Sequence, residues 1–160
     1  MAGFDKLNNT DITVNPSLVK YQLGFKADSF KSIKKLKPVF AFDYLSLNKT
    51  GFCYNAPLLG TKDYEKLLKG LKRISENTFE TLNNERMFHF HDINWTDAKV
   101  SLQESEFCKC IDQKSSKTSD LDITAYQCKV FEEARILGFI YSGVFYLVMF
   151  DRGHNNYKRK

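Results

Sequence analysis

The sequence predicts an α+β protein in which one or two helices pack on one face of an antiparallel sheet. The main observation is a change of hydrophobic period along the chain. Between Thr61 and Asn83 apolar residues recur at helical spacing, whereas from Ile123 to Phe150 they alternate as in strands. Aromatic residues make up 14% of the chain, which favours strands over an all-helical fold. An N-terminal extension with a β-hairpin completes the prediction.

The helical stretch is predicted to begin at Thr61 as N-cap, with Asp63 in the first turn. Asn77 followed by Glu80 has the spacing of a second capping box, so we expect two helices that separate near residues 75–77. The positions at helical spacing are Tyr64, Leu67, Leu68, Leu71 and Ile74.

Strands are predicted on both sides of these helices. Residues Val39–Asn55 read as a β-hairpin with a turn at Asn48 and Gly51. Phe88–Ile93 alternates strictly, which places Phe88 and Phe90 inward and both flanking histidines outward.

The C-terminal third predicts an antiparallel meander of strands Ile123–Phe131, Arg135–Ile140 and Val144–Phe150. Tyr126, Cys128 and Val130 fall on one face of the first of these strands. The last strand is apolar on both faces, so we expect both of its faces to be covered.

Length and composition indicate a single domain spanning residues 1–160, with residues 1–15 flexible and residues 112–120 forming a surface loop. The formal net charge of +5 is compatible with a nucleic-acid partner. Four cysteines are too few for a disulfide scaffold in a chain of this length and predict reduced thiols in a cytoplasmic protein. No membrane-length apolar run or signal-peptide pattern occurs, so no membrane partner is expected.

The C-terminal unit YQCKVFEEARILGFIYSGVFYLVMFDRGHNNYK has a strand, a basic residue, a hairpin, an apolar strand, and then a histidine and a tyrosine three residues apart. It resembles the C-terminal half of the RelE/ParE-like toxins, which include the HigB and YoeB groups. The resemblance covers this unit and the helical stretch Thr61–Asn83, and leaves out residues 1–55.

The resemblance implies a toxin-type endoribonuclease that cuts messenger RNA in the ribosome, without a metal or other cofactor, in a toxin–antitoxin or phage-defence system. Driving a 2′-hydroxyl against the neighbouring phosphorus needs a base, an acid and cations for the phosphate charge. His154 is the expected acid or base, Arg135 the phosphate ligand, and Tyr157 a stacking or proton-transfer group. Contacts to the RNA backbone are expected from Lys129, Arg152, Lys158 and Arg159.

Each of these residues also has a purely structural interpretation. His154 lies in a turn rich in Gly and Asn, where histidines are commonly only solvated. Arg135 follows Glu132 and Glu133 and can pair with a carboxylate, while Tyr157 can pack the end of the sheet. The basic C-terminus can equally be a solvated tail.

A zinc site is the competing interpretation of the pairs His89-x-His91 and Cys108-x-Cys110, which would place two ligands on one face of an extended segment. Each pair has only one intervening residue, where structural sites have two to four, so we expect no metal.

For function, the alternative is a non-catalytic interaction module, a small phage- or defence-encoded binding or inhibitor protein. RNA or the ribosome, and an antitoxin or another protein, are the expected partners.

Overall fold

The computed structural model describes residues 30–47, 52–55 and 59–157. Four α-helices form within these ranges: α1 (Phe30–Ile33), α2 (Thr61–Ser75), α3 (Phe79–Asn84) and α4 (Glu104–Lys109). The strands in the same ranges are β1 (Val39–Ala41), β2 (His91–Asp92), β3 (Ala125–Phe131), β4 (Ala134–Tyr141) and β5 (Val144–Asp151). Two 3-10 segments, Arg86–Phe88 and Thr118–Leu121, complete the described secondary structure.

The strands form one sheet in the order β1-β5-β4-β3-β2, in which only the β1–β5 pair is parallel. The predicted α+β class and the C-terminal antiparallel meander are therefore confirmed. Tight turns join β3 to β4 and β4 to β5, and Ser142 and Gly143 in the second turn have φ of 49° and 76°. Positive φ at both central residues is the geometry that two-residue hairpins require.

The first core lies between the sheet and the helices α2 and α3, as predicted. From α2 it takes Leu67, Leu71 and Ile74, and from α3 it takes Phe79 and Leu82. Gly70 lets α2 approach β3 closely, because a Cβ at this position would lie 2.6 Å from the Val130 carbonyl oxygen. The sheet contributes Cys128, Val130, Ile136, Leu147 and Phe150 to this core.

A second core covers the opposite face of the sheet, and the sequence patterns did not predict the helix and loops that form it. Phe107 and Cys108 of α4 pack there, together with Ile93, Leu102, Ile111 and Ile123 of the flanking loops. The sheet contributes Leu137, Phe139, Val148 and Met149. Both faces of β5 are consequently buried, as its apolar sequence predicted.

The helix boundaries differ from the prediction by one residue. Gly60, not Thr61, is the N-cap of α2, and its backbone N–H donates to Asp63 Oδ2 at 3.1 Å. The chain leaves the helix after Ser75, as expected, and restarts with Thr78, which accepts a hydrogen bond from the Thr81 N–H at 3.2 Å. Thr78 rather than Asn77 is thus the second N-cap.

Two predicted strand segments are wrong in part. Val39–Ala41 pairs in parallel with β5 and not with a returning strand, and residues 52–55 form bends and a turn. The predicted hairpin turn at residues 48–51 lies outside the described residues. In the segment 88–93 only His91–Asp92 is a strand, because His89 adopts a left-handed backbone conformation, φ 42°, after the 3-10 segment. Phe88 and Phe90 are nevertheless buried, as predicted.

In the described part of the chain, no helix has both the length and the apolar character needed to cross a membrane.

Candidate functional site

A cleft of about 250 Å³ opens where β3 ends and β4 begins, on the sheet face that carries the second core. We call it the histidine cleft, since all three histidines of the chain line it. Its lining residues are His89, His91, Gln127, Arg135, His154 and Tyr157. The three residues expected to be catalytic, Arg135, His154 and Tyr157, therefore lie together.

Strand pairing explains why these residues share one face. Gln127 and Lys129 are two residues apart on β3, so their side chains point to the same side. Lys129 is paired with Arg135 on β4, and Arg135 is paired with Asp151 at the end of β5. Residues paired directly across antiparallel strands project to the same face, which brings Lys129 and Arg135 to the start of the C-terminal turn.

Arg135 is the buried cation of the cleft, with only 3% of its surface exposed. Its Nη1 donates to the Ala134 carbonyl oxygen at 3.2 Å, while its Nε has no hydrogen-bond partner among the described residues. Burial lowers the pKa of the guanidinium, and the nearby Glu133 and Asp151 oppose that shift. The group remains charged, since an arginine pKa is far above neutrality.

No carboxylate of the described chain forms an ion pair with Arg135. Glu132, one of the two expected partners, bonds Lys66 and Arg152 on the other side of the sheet. Glu133, the other, lies beside His154. A buried guanidinium without a carboxylate partner is a favourable ligand for an anion, and its planar donors suit phosphate oxygens.

The C-terminal turn is part of the fold as far as Tyr157. Asp151 is fully buried, and its carboxylate accepts the backbone N–H of Asn155 at 2.8 Å and of Asn156 at 2.7 Å. Asn156 is buried as well, and its side-chain oxygen accepts the N–H of Leu102 at 3.3 Å. Tyr157 forms an antiparallel bridge with Val100. The interpretation of residues 151–157 as a solvated tail is therefore wrong.

His154 and Tyr157 project from this turn into the cleft. The two rings lie 5.9 Å apart between centroids, and His154 Nδ1 is 3.6 Å from Glu133 Oε2. Burial, assisted by Asp97 and Asp92, raises the pKa of Tyr157, so its hydroxyl stays protonated at neutral pH. This chemistry suits a hydrogen-bond donor or a stacking surface, and not a proton acceptor.

His91 also lies beside Tyr157, with ring centroids 6.0 Å apart. Its Nδ1 lies 2.6 Å from the Asp92 carbonyl oxygen, and its Nε2 lies 2.7 Å from Nε2 of Gln127. A neutral ring protonated on Nδ1 satisfies both contacts, donating to the carbonyl and accepting from the amide. Tyr157 thus has two imidazole rings as neighbours.

The expected RNA-contacting residues are divided between the two faces of the sheet. Lys129 is half-buried beside the cleft, and its charge acts on His89. Arg152 follows Asp151 and points to the other face, where its Nε is 2.9 Å from Asp63 Oδ1 and its Nη2 is 3.2 Å from Glu132 Oε2. Lys158 and Arg159 lie outside the described residues.

The two candidate zinc-ligand pairs adopt different local structures. Cys108 lies in helix α4 and Cys110 at its C-terminus, so this pair is not on an extended segment as supposed. Cys108 is buried in the second core, and burial raises the pKa of its thiol to about 12. Over the described ranges, no group of three or more His, Cys, Asp or Glu side chains is arranged to hold a metal ion.

His89, His91 and Gln127 are the cleft residues that sequence reasoning did not assign to the site. His91 lies in the cleft because β2 pairs with β3, which places His91 opposite Gln127. The sequence feature that could have placed Gln127 in the cleft is the alternation of β3. In this strand the polar residues Gln127 and Lys129 occupy the side opposite Tyr126 and Cys128.

Comparisons of the chain with models of protein families, with curated proteins and with solved structures found no match.

Proposed function

We propose that this chain is an RNA-directed, toxin-type endoribonuclease that acts without a metal ion and with the ribosome, in a toxin–antitoxin or phage-defence system. The observation that carries the proposal is the buried Arg135 with an unpartnered Nε, in one cleft with His154 and Tyr157. A buried cation can stabilise the phosphate charge and an imidazole can transfer a proton, two needs of phosphodiester transfer in RNA, while an aromatic ring can stack on a base.

In the proposed reaction Arg135 holds the non-bridging phosphate oxygens and stabilises the charge that accumulates on them. The 2′-hydroxyl loses its proton to a base as its oxygen forms a bond to phosphorus, and the bond from phosphorus to the 5′-oxygen breaks. His154, whose protonated ring would form an ion pair with Glu133, gives a proton to the leaving 5′-oxygen. The products are a 2′,3′-cyclic phosphate and a free 5′-hydroxyl.

Tyr157 contributes a surface on which a base adjacent to the scissile phosphate can stack. The rings of His91 and His154 both lie about 6 Å from its ring, and Arg135 lines the same cleft. Lys129, on the same sheet face, adds a positive charge that draws the RNA backbone towards the cleft.

The direct test is expression in a bacterial host together with cleavage of RNA by the purified protein, on free RNA in EDTA and, separately, on ribosomes in a buffer that keeps their Mg²⁺. We expect growth arrest and cleavage for the wild type, and a loss of about 10²-fold in cleavage for His154→Ala. The matched control is Lys72→Ala, an exposed residue of α2 remote from the cleft. Tolerated expression and intact RNA in every condition would refute the proposal.

One observation favours the second candidate, a non-catalytic protein-interaction module. An apolar groove of about 330 Å³ runs between α2 and the described residues 42–47, 54 and 55. Phe42 and Leu68 line it with 57% and 66% of their surfaces exposed. Surface of this kind commonly contacts another protein. A toxin would also need such a surface for an antitoxin, so growth arrest is the measurement that separates the two candidates.

A further inference from the structure

The three histidines of the cleft differ in what their rings can still bind. His91 has both nitrogens engaged, by the Asp92 carbonyl and the Gln127 amide. His154 faces the Glu133 carboxylate. For the His89 ring, no hydrogen bond or ion pair with any described residue is formed, so its nitrogens remain open to a ligand in the cleft.

The backbone holds His89 at the cleft wall in a conformation that non-glycine residues seldom adopt. Its φ is 42°, and its N–H closes the 3-10 segment by donating to the Arg86 carbonyl oxygen at 3.2 Å. Phe88 and Phe90 on either side are buried, and Phe90 stacks on Tyr126 at 5.3 Å. Because both neighbours are anchored in the core, the exposed His89 side chain is kept beside Arg135.

We propose that His89 is a catalytic residue of the RNA cleavage reaction, the base that removes the proton from the attacking 2′-hydroxyl. The inference rests on the proposed function. A ring nitrogen of neutral His89 takes the 2′-hydroxyl proton as that oxygen bonds to phosphorus. The departing 5′-oxygen takes a proton from His154, so one proton is accepted and one is donated in each cleavage.

The surroundings of His89 favour the neutral ring that a base requires. Partial burial lowers the pKa of His89, and four neighbouring positive charges lower it further. The groups that act on it come from every neighbouring element: Arg135, Lys129, Arg86 and His154, with Glu133 beside His154 and with His91 and Tyr157 completing the cleft. His89 is therefore deprotonated at neutral pH and loses its base function only in more acidic solution.

The deciding experiment measures cleavage by His89→Asn and His89→Gly, since both residues accept a positive φ. We expect cleavage to fall by about 10²-fold in each, with unchanged binding of an RNA that carries a 2′-methoxy group at the cut site. The acidic limb of the kcat/KM profile should disappear, and added imidazole should restore part of the activity of His89→Gly only. Lys72→Ala again provides the control.

The two hypotheses fail in different ways. If the wild type leaves RNA intact, the proposed function and this inference are both overturned. Wild-type cleavage with His89→Asn active to within a few-fold and an unchanged pH profile would overturn the assignment of His89 alone.

A measurement on the intact wild type guards against a folding defect in the variants. The Cε1 protons of the three histidines are followed by NMR against pH, with and without inorganic phosphate. We expect the His89 midpoint below the ordinary histidine value and raised by phosphate, because an anion beside Arg135 offsets the neighbouring cations. A His89 midpoint at or above the ordinary value would contradict the inference.

Discussion

Two regions of this protein carry clustered basic side chains, on opposite faces of the sheet, and they differ in what those charges contact. On the helical face, a groove of about 270 Å³ is lined by Lys66, Lys69 and Arg73 of α2, and we call it the helix-side groove. Lys66 bonds Glu132, and Lys69 Nζ is 2.5 Å from Glu65 Oε1. The neighbouring Arg152 bonds both Asp63 and Glu132.

The histidine cleft has fewer cations, yet they are less neutralised. Arg135 has no carboxylate within ion-pair distance in the described chain, and its Nε is unpartnered there. Arg73 in the helix-side groove also has an unpartnered buried Nε, but its Nη2 donates to the Val130 carbonyl at 2.8 Å and its guanidinium lies over Phe88. Arg73 therefore joins α2 to β3. An anion site is indicated by basic side chains whose charges are not compensated by carboxylates, and not by the number of basic residues.

Tyr157 offers the largest expected functional effect in the cleft. We expect Tyr157→Ala to lower RNA cleavage by about 10²-fold, because it removes the stacking surface beside Arg135. Tyr157→Phe should retain cleavage to within a few-fold, since its ring still stacks. Initial rates on one RNA, with thermal melting to confirm folding, provide the measurement. An equally large loss in Tyr157→Phe would assign the role to the hydroxyl instead.

The variant Lys129→Ala tests whether the positive charge of the cleft extends along β3. In Lys129→Ala, RNA affinity should fall and the slope of log affinity against log salt should flatten by about one unit. Loss of this cation should also raise the pKa of His89 and move the acidic limb of kcat/KM to higher pH. Lys69→Ala, from the helix-side groove, is the matched control. Equal changes of slope in both variants would remove the distinction between the two regions.

Arg152 provides the smallest expected effect on cleavage. Arg152→Ala should lower Tm by a few degrees, because the residue ties Asp63 at the start of α2 to Glu132 and covers the Phe131 ring at 4.9 Å. Its cleavage rate should match the wild type at temperatures where both are folded. Differential scanning calorimetry measures the first quantity, and a rate loss without any loss of stability would place Arg152 in the RNA path.

The elements that the sequence predicted correctly are those specified by local pattern. The 3.6-residue period of α2 and the alternation of β3 indicate which side of each segment is buried, and the continuous apolar run of β5 indicates burial on both sides. The prediction of an N-terminal hairpin is wrong because β1 pairs with β5. This partner lies about a hundred residues away, and no local pattern reveals it. The second core was missed for the same reason, since it is built from loops around α4.

In the candidate site, too, local patterns indicated some residues, while others depend on contacts between distant parts of the chain. Antiparallel neighbours could bring Lys129 and Arg135 to one face, and the observed register of β3 with β4 pairs the two residues directly. Alternation of side chains puts Arg152 on the opposite face from Asp151, which sequence reasoning overlooked. His89 and His91 reach the cleft through the two-residue strand β2 and a left-handed turn. β2 falls within the predicted strand Phe88–Ile93, whereas the left-handed turn at His89 was not predicted.

The most direct test of the account compares Arg135→Ala with Arg152→Ala on one RNA, at a temperature where both variants are fully folded. Each variant removes one guanidinium, from the cleft in the first case and from beside the helix-side groove in the second. The uncompensated charge of Arg135 predicts a fall in cleavage of about 10²-fold for Arg135→Ala and a rate within twofold of wild type for Arg152→Ala. Equal rates in the two variants would contradict the assignment of the histidine cleft as the site of RNA cleavage.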